Sequence, residues 1–409
     1  MRDGPKAGRQ SGLSPASNYD VVDGVTAAWV AKPREAHELR AVMEEVAARK
    51  LAVVVRGAGT KIAWGGIPSR LDAVIDVSGL DRVTEHVVGD LVVRVEPGMR
   101  LANLQATLEQ VGQRLSIDEV MAGSTIGGIV ATGLSGPRRL AFGGVRDLLI
   151  GVSVIRADGQ LARAGGKVVK NVAGYDLCKL YTGSYGTLGV ISETVFRLHP
   201  LPAAAAWVSA RLADENAATK AVLELLSSQL APVALELDWP ATNGPIELSV
   251  LFEGLTGSVE QRCGIALGMV GASAAIRSSA PPWWATLPGP TTLKATTTIS
   301  GVRDALRSVA VAAGSGAITA SIRCSPGLGI LYIGLSEDSE PEMVDYLLRR
   351  LRDHFKKSGG SVVVLRASAE IRAAVDVWGP VGALELMRRV KANFDPAGLL
   401  APGRFVGGI

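Results

Sequence analysis

The sequence predicts an α+β protein of two domains closed by a C-terminal helix, and three observations predict it. The chain has 409 residues, which at roughly 150 residues per domain suits two to three domains. Fifteen of its 48 glycines fall between Gly123 and Gly189, about twice what an even spread gives, yet they are interleaved with Val, Ile and Leu in strand-like runs. Such a segment is folded chain that needs unusual backbone or close approach to something, not low complexity. Beyond Pro202 the composition turns Ala- and Thr-rich, with two sets of strand and helix candidates that suit an antiparallel sheet carrying helices on one face.

In chain order, residues 1–18 are rich in Gly, Ser and Pro and lack an apolar core, so they read as a disordered tail rather than a signal peptide. The first domain is expected over 19–202. It opens with a helix over 32–50, where Pro33 suits the first turn and Leu39, Val42, Met43 and Val46 recur at helical spacing. Strands follow at 51–55, 73–77 and 91–95, then a helix over 100–111. Residues 148–157 and 160–164 flank Asp158-Gly159, a strong hairpin signal. A helix over 171–182 and a strand over 186–198 complete the domain, with Pro200 and Pro202 stopping any further ladder. The second domain, 203–360, has strand candidates at 246–252 and 331–335 and helices at 215–227 and 342–357. Its stretch 281–290 holds too many prolines for regular structure. The closing segment, 361–409, carries a helix over 381–394 stopped at Asp395-Pro396-Ala397-Gly398. No internal repeat is visible.

Charge and cysteine content narrow the function classes. Forty-three basic against 39 acidic residues leave a net charge of +4 without long like-charge blocks, which argues against nucleic acid as a partner. Apolar runs stop far short of the roughly 18 residues that span a bilayer, so no transmembrane segment is expected. Cys178, Cys263 and Cys324 are too scattered for a disulfide framework or an iron–sulfur cluster, and a reducing cytoplasm is the expected compartment. Four isolated histidines, His37, His86, His199 and His354, offer no metal-ligand pair, so no metal is expected.

Three glycine segments carry the chemistry. Arg56-Gly57-Ala58-Gly59-Thr60-Lys61 directly follows a strand, and its unhindered N–H groups could cup a phosphate; taken alone it is also an ordinary tight turn. It lacks the third glycine of a dinucleotide fingerprint and is no Walker A loop. The second segment is Gly123-Ser124-Thr125-Ile126-Gly127-Gly128, followed by Thr132 and by Gly133-Leu134-Ser135-Gly136-Pro137-Arg138-Arg139. Its small residues permit close passage of a flat ligand, its hydroxyls give directional bonds, and Arg138, Arg139 and Arg146 could offset phosphate charge. The third, Gly183 to Ile191, enters a strand with Gly186 and Gly189 at three-residue spacing.

Together these strings resemble the FAD-binding domain of the vanillyl-alcohol oxidase and p-cresol methylhydroxylase (PCMH) type. Within that family the likeness is to the FAD-binding E subunits of bacterial glycolate oxidases. It also takes in Gly143-Gly144-Val145-Arg146-Asp147, Lys170-Asn171-Val172-Ala173-Gly174-Tyr175-Asp176, and, at the far end, Phe394-Asp395-Pro396 and Pro402-Gly403-Arg404. The resemblance implies a two-lobed PCMH-type domain with the C-terminal segment packing back on it. It implies FAD held by Arg56, Gly57, Ala58, Gly59, Thr60 and Lys61, by Gly123, Ser124, Thr125, Gly127, Gly128, Thr132, Ser135, Gly136 and Arg138, and by Gly186, Gly189 and Val190. Covalent members carry a His in the first loop where Lys61 and Ile62 stand here, so the FAD is expected to be non-covalent. The Asn that relatives place before Pro-Gly-Arg is Ala401.

The resemblance further implies a glycolate oxidase or dehydrogenase subunit that acts on a small hydroxy acid. Its expected partners are a sister D-type flavoprotein and an iron–sulfur subunit, with peripheral membrane association through those partners. The histidine-rich string of the substrate-oxidising sister subunits is absent, and no catalytic residue is assigned. A stand-alone FAD oxidase of another hydroxy acid or polyol is the alternative.

Overall fold

The computed structural model describes residues 12–167 and 175–409. Two small sheets build the N-terminal unit. In the first, Trp29–Ala31, Ala73–Asp76 and Val53–Arg56 run parallel, with helix Ala36–Arg49 between the outer two in sequence. The expected periodicity of that helix is met: Leu39, Val42, Met43 and Val46 are its buried stripe. The second sheet is antiparallel and five-stranded, in the order Leu161–Gly165, Leu149–Ile155, Val190–Arg197, Val92–Val95, Val83–Val87. Its first two strands are the hairpin signalled by Asp158-Gly159.

Residues 12–18 do not form the expected loose tail. Leu13 is buried, and Ser14–Pro15 pairs antiparallel with Trp29–Ala31, because this edge of the parallel sheet would otherwise leave its backbone groups unpaired. Of the helix expected over 171–182, the described residues form Leu177–Tyr181, capped by the Asp176 carboxylate; residues 171–174 lie outside the described residues.

One eight-stranded antiparallel sheet dominates the second unit. Its strands run Ala275–Arg277, Ala204–Leu212, Ile246–Gly254, Ala234–Trp239, Ala320–Ser325, Ile330–Leu335, Thr291–Thr296, Ser361–Arg366. Helices Glu215–Ser227, Thr256–Val270, Val302–Ser315 and Pro341–Lys357 follow the pattern strand, helix, strand, strand, helix, strand, traversed twice. The sheet is thus two like halves joined edge to edge where Leu237–Trp239 pairs with Ile322–Cys324. The repeat escapes a reading of the sequence because the two halves share only an alternating apolar pattern. The sheet also outruns the boundary expected at 360, since Ser361–Arg366 is its edge strand and pairs with Thr291–Thr296.

Alternation gives this sheet two unlike faces. Leu235, Leu237, Leu248, Val250, Leu293, Ile322, Leu331 and Ile333 pack under the helices in one core. Glu236, Ser249, Glu253, Lys294, Ser325 and Tyr332 alternate with them and point the other way, toward the N-terminal unit. The Trp283-Trp284 loop folds onto its own sheet: Trp284 packs on Trp207, and Trp283 Nε1 donates to Glu247 at 2.9 Å.

The C-terminal chain closes the structure. Helix Leu384–Phe394 lies on the first unit, and Leu399 O accepts from Val53 N at 2.7 Å while Ala401 N donates to Val53 O at 2.8 Å. Residues 399–401 thereby extend the parallel sheet beside the strand that leads into the first glycine loop. Asp395, fully buried, accepts from Leu399 N, Leu400 N and Lys391 Nζ and holds this turn shut.

Candidate functional site

The three glycine segments meet in one cleft of the N-terminal unit. Its first lobe is lined by Arg56 to Ile62 together with Thr125, Gly128, Ala131, Thr132, Tyr185 and Arg404. Its second lobe is lined by Pro97, Gly127, Gly128, Ser184, Gly186, Gly189 and Val190. Val55, Gly57, Gly128, Ala131 and Tyr185 line both lobes, so the two lie side by side and share a wall.

Local geometry explains the small residues. A Cβ on Gly57 would run into Thr125 Oγ1, so only glycine lets the strand-ending loop touch the second segment. That segment is not a loop throughout: Thr125 caps a helix, Ile126–Thr132, by accepting from Gly128 N at 3.4 Å. Ile126, Ile129 and Val130 bury one side of the helix while Gly127 leaves room for Pro97, so the glycines serve close packing as well as the cleft. Gly183 to Gly189 is the turn between helix Leu177–Tyr181 and strand Val190–Arg197, and Tyr185 N donates to Ala131 O at 2.8 Å.

The charges around the cleft are unevenly matched. Arg56 is held by Asp20 at 2.9 Å and Asp76 at 3.0 Å, so its guanidinium is already neutralised. Arg404 shares the single carboxylate of Asp23 with Arg372, all three side chains being nearly inaccessible. Arg404 also donates to Ile62 O and Trp64 O, both at 2.6 Å, and Arg372 to Gly65 O at 3.1 Å, which fixes the chain just beyond the first loop. Lys61 has no carboxylate within ion-pair distance among the described residues; it donates to Ser124 Oγ at 2.6 Å and Thr60 Oγ1 at 3.1 Å. Burial pushes its ammonium down to about 8, with Glu119 acting weakly the other way. A cleft with backbone donors and excess positive charge fits a dinucleotide diphosphate.

Not every residue expected in the site lines it. Ser124 lies behind Lys61, Gly123 turns the chain at φ +75°, and Ser135 Oγ accepts from Val145 N at 3.1 Å. Gly136 packs on Asp118. Arg138 points away from the cleft and braces the fold. It donates to Asp118 Oδ1 at 2.6 Å and to Glu253 Oε1 at 3.0 Å, and Arg114 grips the same Glu253 with both terminal nitrogens. Glu253 belongs to the large sheet, so this buried network ties the two units together. Nor do the histidines line the cleft: His86 bonds Gln113, His199 packs on Phe142, His354 bonds Ser308, and His37 is exposed.

Composition and motif spacing missed a second polar region, on the sheet face turned toward the N-terminal unit. Tyr332 packs with Trp64, Leu134, Leu365 and Tyr185 and pairs across the sheet with Lys294. Lys294 is desolvated to about 8, and Arg139 acts on it through space. Among the described residues neither cation has a carboxylate within ion-pair distance. Glu236, bonded by Ser325, is pushed well above the usual carboxylate range by burial, and the Tyr332 phenol is pushed up to about 12. The only sequence signal was a charged residue at an alternating position in a strand, which most often means an exposed face.

Comparison with known proteins agrees with this geometry. The family profile "FAD binding domain" matches residues 27–165, and "FAD linked oxidases, C-terminal domain" matches 377–405. The glycolate oxidase subunit GlcE of Escherichia coli is 36% identical over 207 residues, 49% of this chain and 57% of that protein. The subunit GlcD of Bacillus subtilis is 32% identical over 213 residues, 52% of this chain and 45% of that protein. The match thus spans about half of these relatives. An uncharacterized FAD-linked oxidoreductase of Mycobacterium tuberculosis is 26% identical over 92% of this chain and 90% of its own. Among solved structures, p-cresol methylhydroxylase with substrate bound superposes with a TM-score of 0.70 at 15% identity over 93% of this chain and 88% of its own. Alkyldihydroxyacetonephosphate synthase gives 0.69 at 17% identity, over 93% and 77%. The fold is that of the PCMH-type FAD-binding proteins.

Proposed function

Because the chain carries the FAD-binding domain and the C-terminal segment of the FAD-linked oxidases, we propose that it is the FAD-binding subunit of a glycolate oxidase or dehydrogenase complex. In this reading it oxidises glycolate to glyoxylate in the cytoplasm together with a sister flavoprotein and an iron–sulfur subunit. The observation that carries the cofactor is the convergence of three separate glycine segments on one cleft with surplus positive charge. Arg56 to Lys61, Thr125, Gly127, Gly128, Thr132, Gly186, Gly189 and Val190 line it and hold the FAD. In this reading the binding is non-covalent, supported by a cleft in which no His or Cys stands among the described residues and in which the Tyr185 phenol is packed against Trp378 and Phe405 and pushed up by burial.

Bound FAD supplies a two-electron acceptor for the carbon bearing the hydroxyl. The chain's own contribution is to hold that cofactor through backbone groups and to shut water out beneath the large sheet. Lys294, a desolvated cation on that side, and the half-buried Arg139 near it suit the carboxylate of a small acid. They also favour a second reading, in which this chain oxidises a 2-hydroxy acid without its partners.

Anaerobic mixing of the purified chain with glycolate, watched at the flavin absorbance, separates the two readings. Bleaching by the chain alone supports the second; bleaching only when both partner subunits are present supports the first. Purified protein that is folded but colourless, and takes up no FAD, refutes both.

A further inference from the structure

Among the described residues, Lys61 is a buried ammonium with no carboxylate within ion-pair distance. Its side chain is 7% exposed and lines the cleft beside Gly128 and Thr125. Two of its three protons point at hydroxyl oxygens. One of those hydroxyls, Ser124 Oγ, gives its own proton to Met121 O at 2.6 Å, so it is committed to accepting from Lys61. The third ammonium proton has no partner among the described residues. The charged groups nearby do not neutralise it. Arg56 is a cation held by Asp20 and Asp76, Arg404 is a cation sharing Asp23 with Arg372, and Glu119 turns its carboxylate to Gly123 N at 3.0 Å. Burying an ammonium in this state is costly unless an anion completes it.

Resting on the reading of the cleft as an FAD site, we propose that Lys61 supplies the counter-charge to the cofactor's diphosphate and that its proton sets a pH-dependent hold on the cofactor. The anion binds the ammonium form and raises its affinity for the proton. Desolvation has brought that proton within reach, at about 8 in the free cleft. Below that value affinity is constant; above it, binding must first take up a proton, and Kd climbs toward tenfold per pH unit. Arg56 and Arg404 stay charged across this range, so they set the level of affinity and not its slope.

The test is titration of the flavin-stripped full-length chain with FAD, read by flavin fluorescence from pH 6.5 to 9.5. The native chain should show a flat Kd to about pH 7.5 and about tenfold weakening by pH 9.5. Lys61→Met should bind about 10- to 100-fold more weakly at pH 7, as loss of a charge-assisted hydrogen bond implies, and should show no slope. Lys61→Arg should retain binding and also lose the slope. ADP, which keeps the diphosphate and is read by its displacement of FAD, should reproduce the slope on the native chain, and riboflavin, which lacks it, should not. A slope that persists in Lys61→Met or Lys61→Arg, or that follows riboflavin rather than ADP, overturns the proposal while leaving the FAD site standing. A native chain that binds no FAD at any pH overturns both.

Discussion

Gly57 shows how one missing methyl group positions a site. The loop after Val53–Arg56 reaches helix Ile126–Thr132 only because no Cβ stands between it and the Thr125 hydroxyl. Gly57→Ala should therefore push the two glycine segments apart. We expect a loss of about 1–3 kcal/mol in urea unfolding, typical of overpacking, and at least about tenfold weaker FAD binding by fluorescence titration. This residue was legible only through its company with the other two glycine segments, because taken alone its loop also reads as an ordinary tight turn. Arg138 was not legible as a strut, because its partners Asp118 and Glu253 lie 20 and 115 residues away and an arginine beside a glycine loop looks the same in either role. Ala401 adds a detail of the same kind: it sits at φ +46°, in the left-handed region where Asn is better tolerated than most residues, which suits the Asn expected there in relatives.

At the scale of elements, the large sheet separates an apolar face under its helices from a polar face toward the N-terminal unit. Glu236 marks the cost of that arrangement. Its folded carboxyl keeps a proton that the unfolded chain releases above the usual range near 4.5. The folded state then binds more protons than the unfolded state, so stability falls as pH rises from there toward the raised folded value. Glu236→Gln keeps the neutral shape and should remove this decline. Chemical unfolding at pH 5 and pH 8 checks it: the variant should at least match the native chain at pH 8 and lose less between the two. Of this sheet's strands, Ile246–Gly254 and Ile330–Leu335 were readable, as were helices Glu215–Ser227 and Pro341–Lys357; the Glu236 strand was not. Helix Thr256–Val270 escaped because glycines and alanines dilute its apolar stripe.

Across the whole molecule, two buried ionic clusters hold the units in register. Arg114, Arg138, Asp118 and Glu253 join the N-terminal unit to the large sheet; Asp23, Arg372 and Arg404 join the N-terminal segment, helix Ala369–Ala374 and the C-terminal turn. Glu253→Gln leaves two buried guanidiniums facing a neutral amide and should cost about 3–5 kcal/mol in urea unfolding. The sequence by itself determined the local chemistry: where the backbone must turn tightly, which helices and strands carry apolar stripes, and that the N-terminal half has the makings of a dinucleotide site. Those properties depend on neighbours a few residues apart. Only the tertiary structure decided which charges are neutralised before any ligand arrives, that residues 399–401 complete the sheet beside the first loop, and that Lys61 has no carboxylate within ion-pair distance among the described residues. Each of these is a through-space sum over groups from distant parts of the chain, and no spacing along the sequence encodes it.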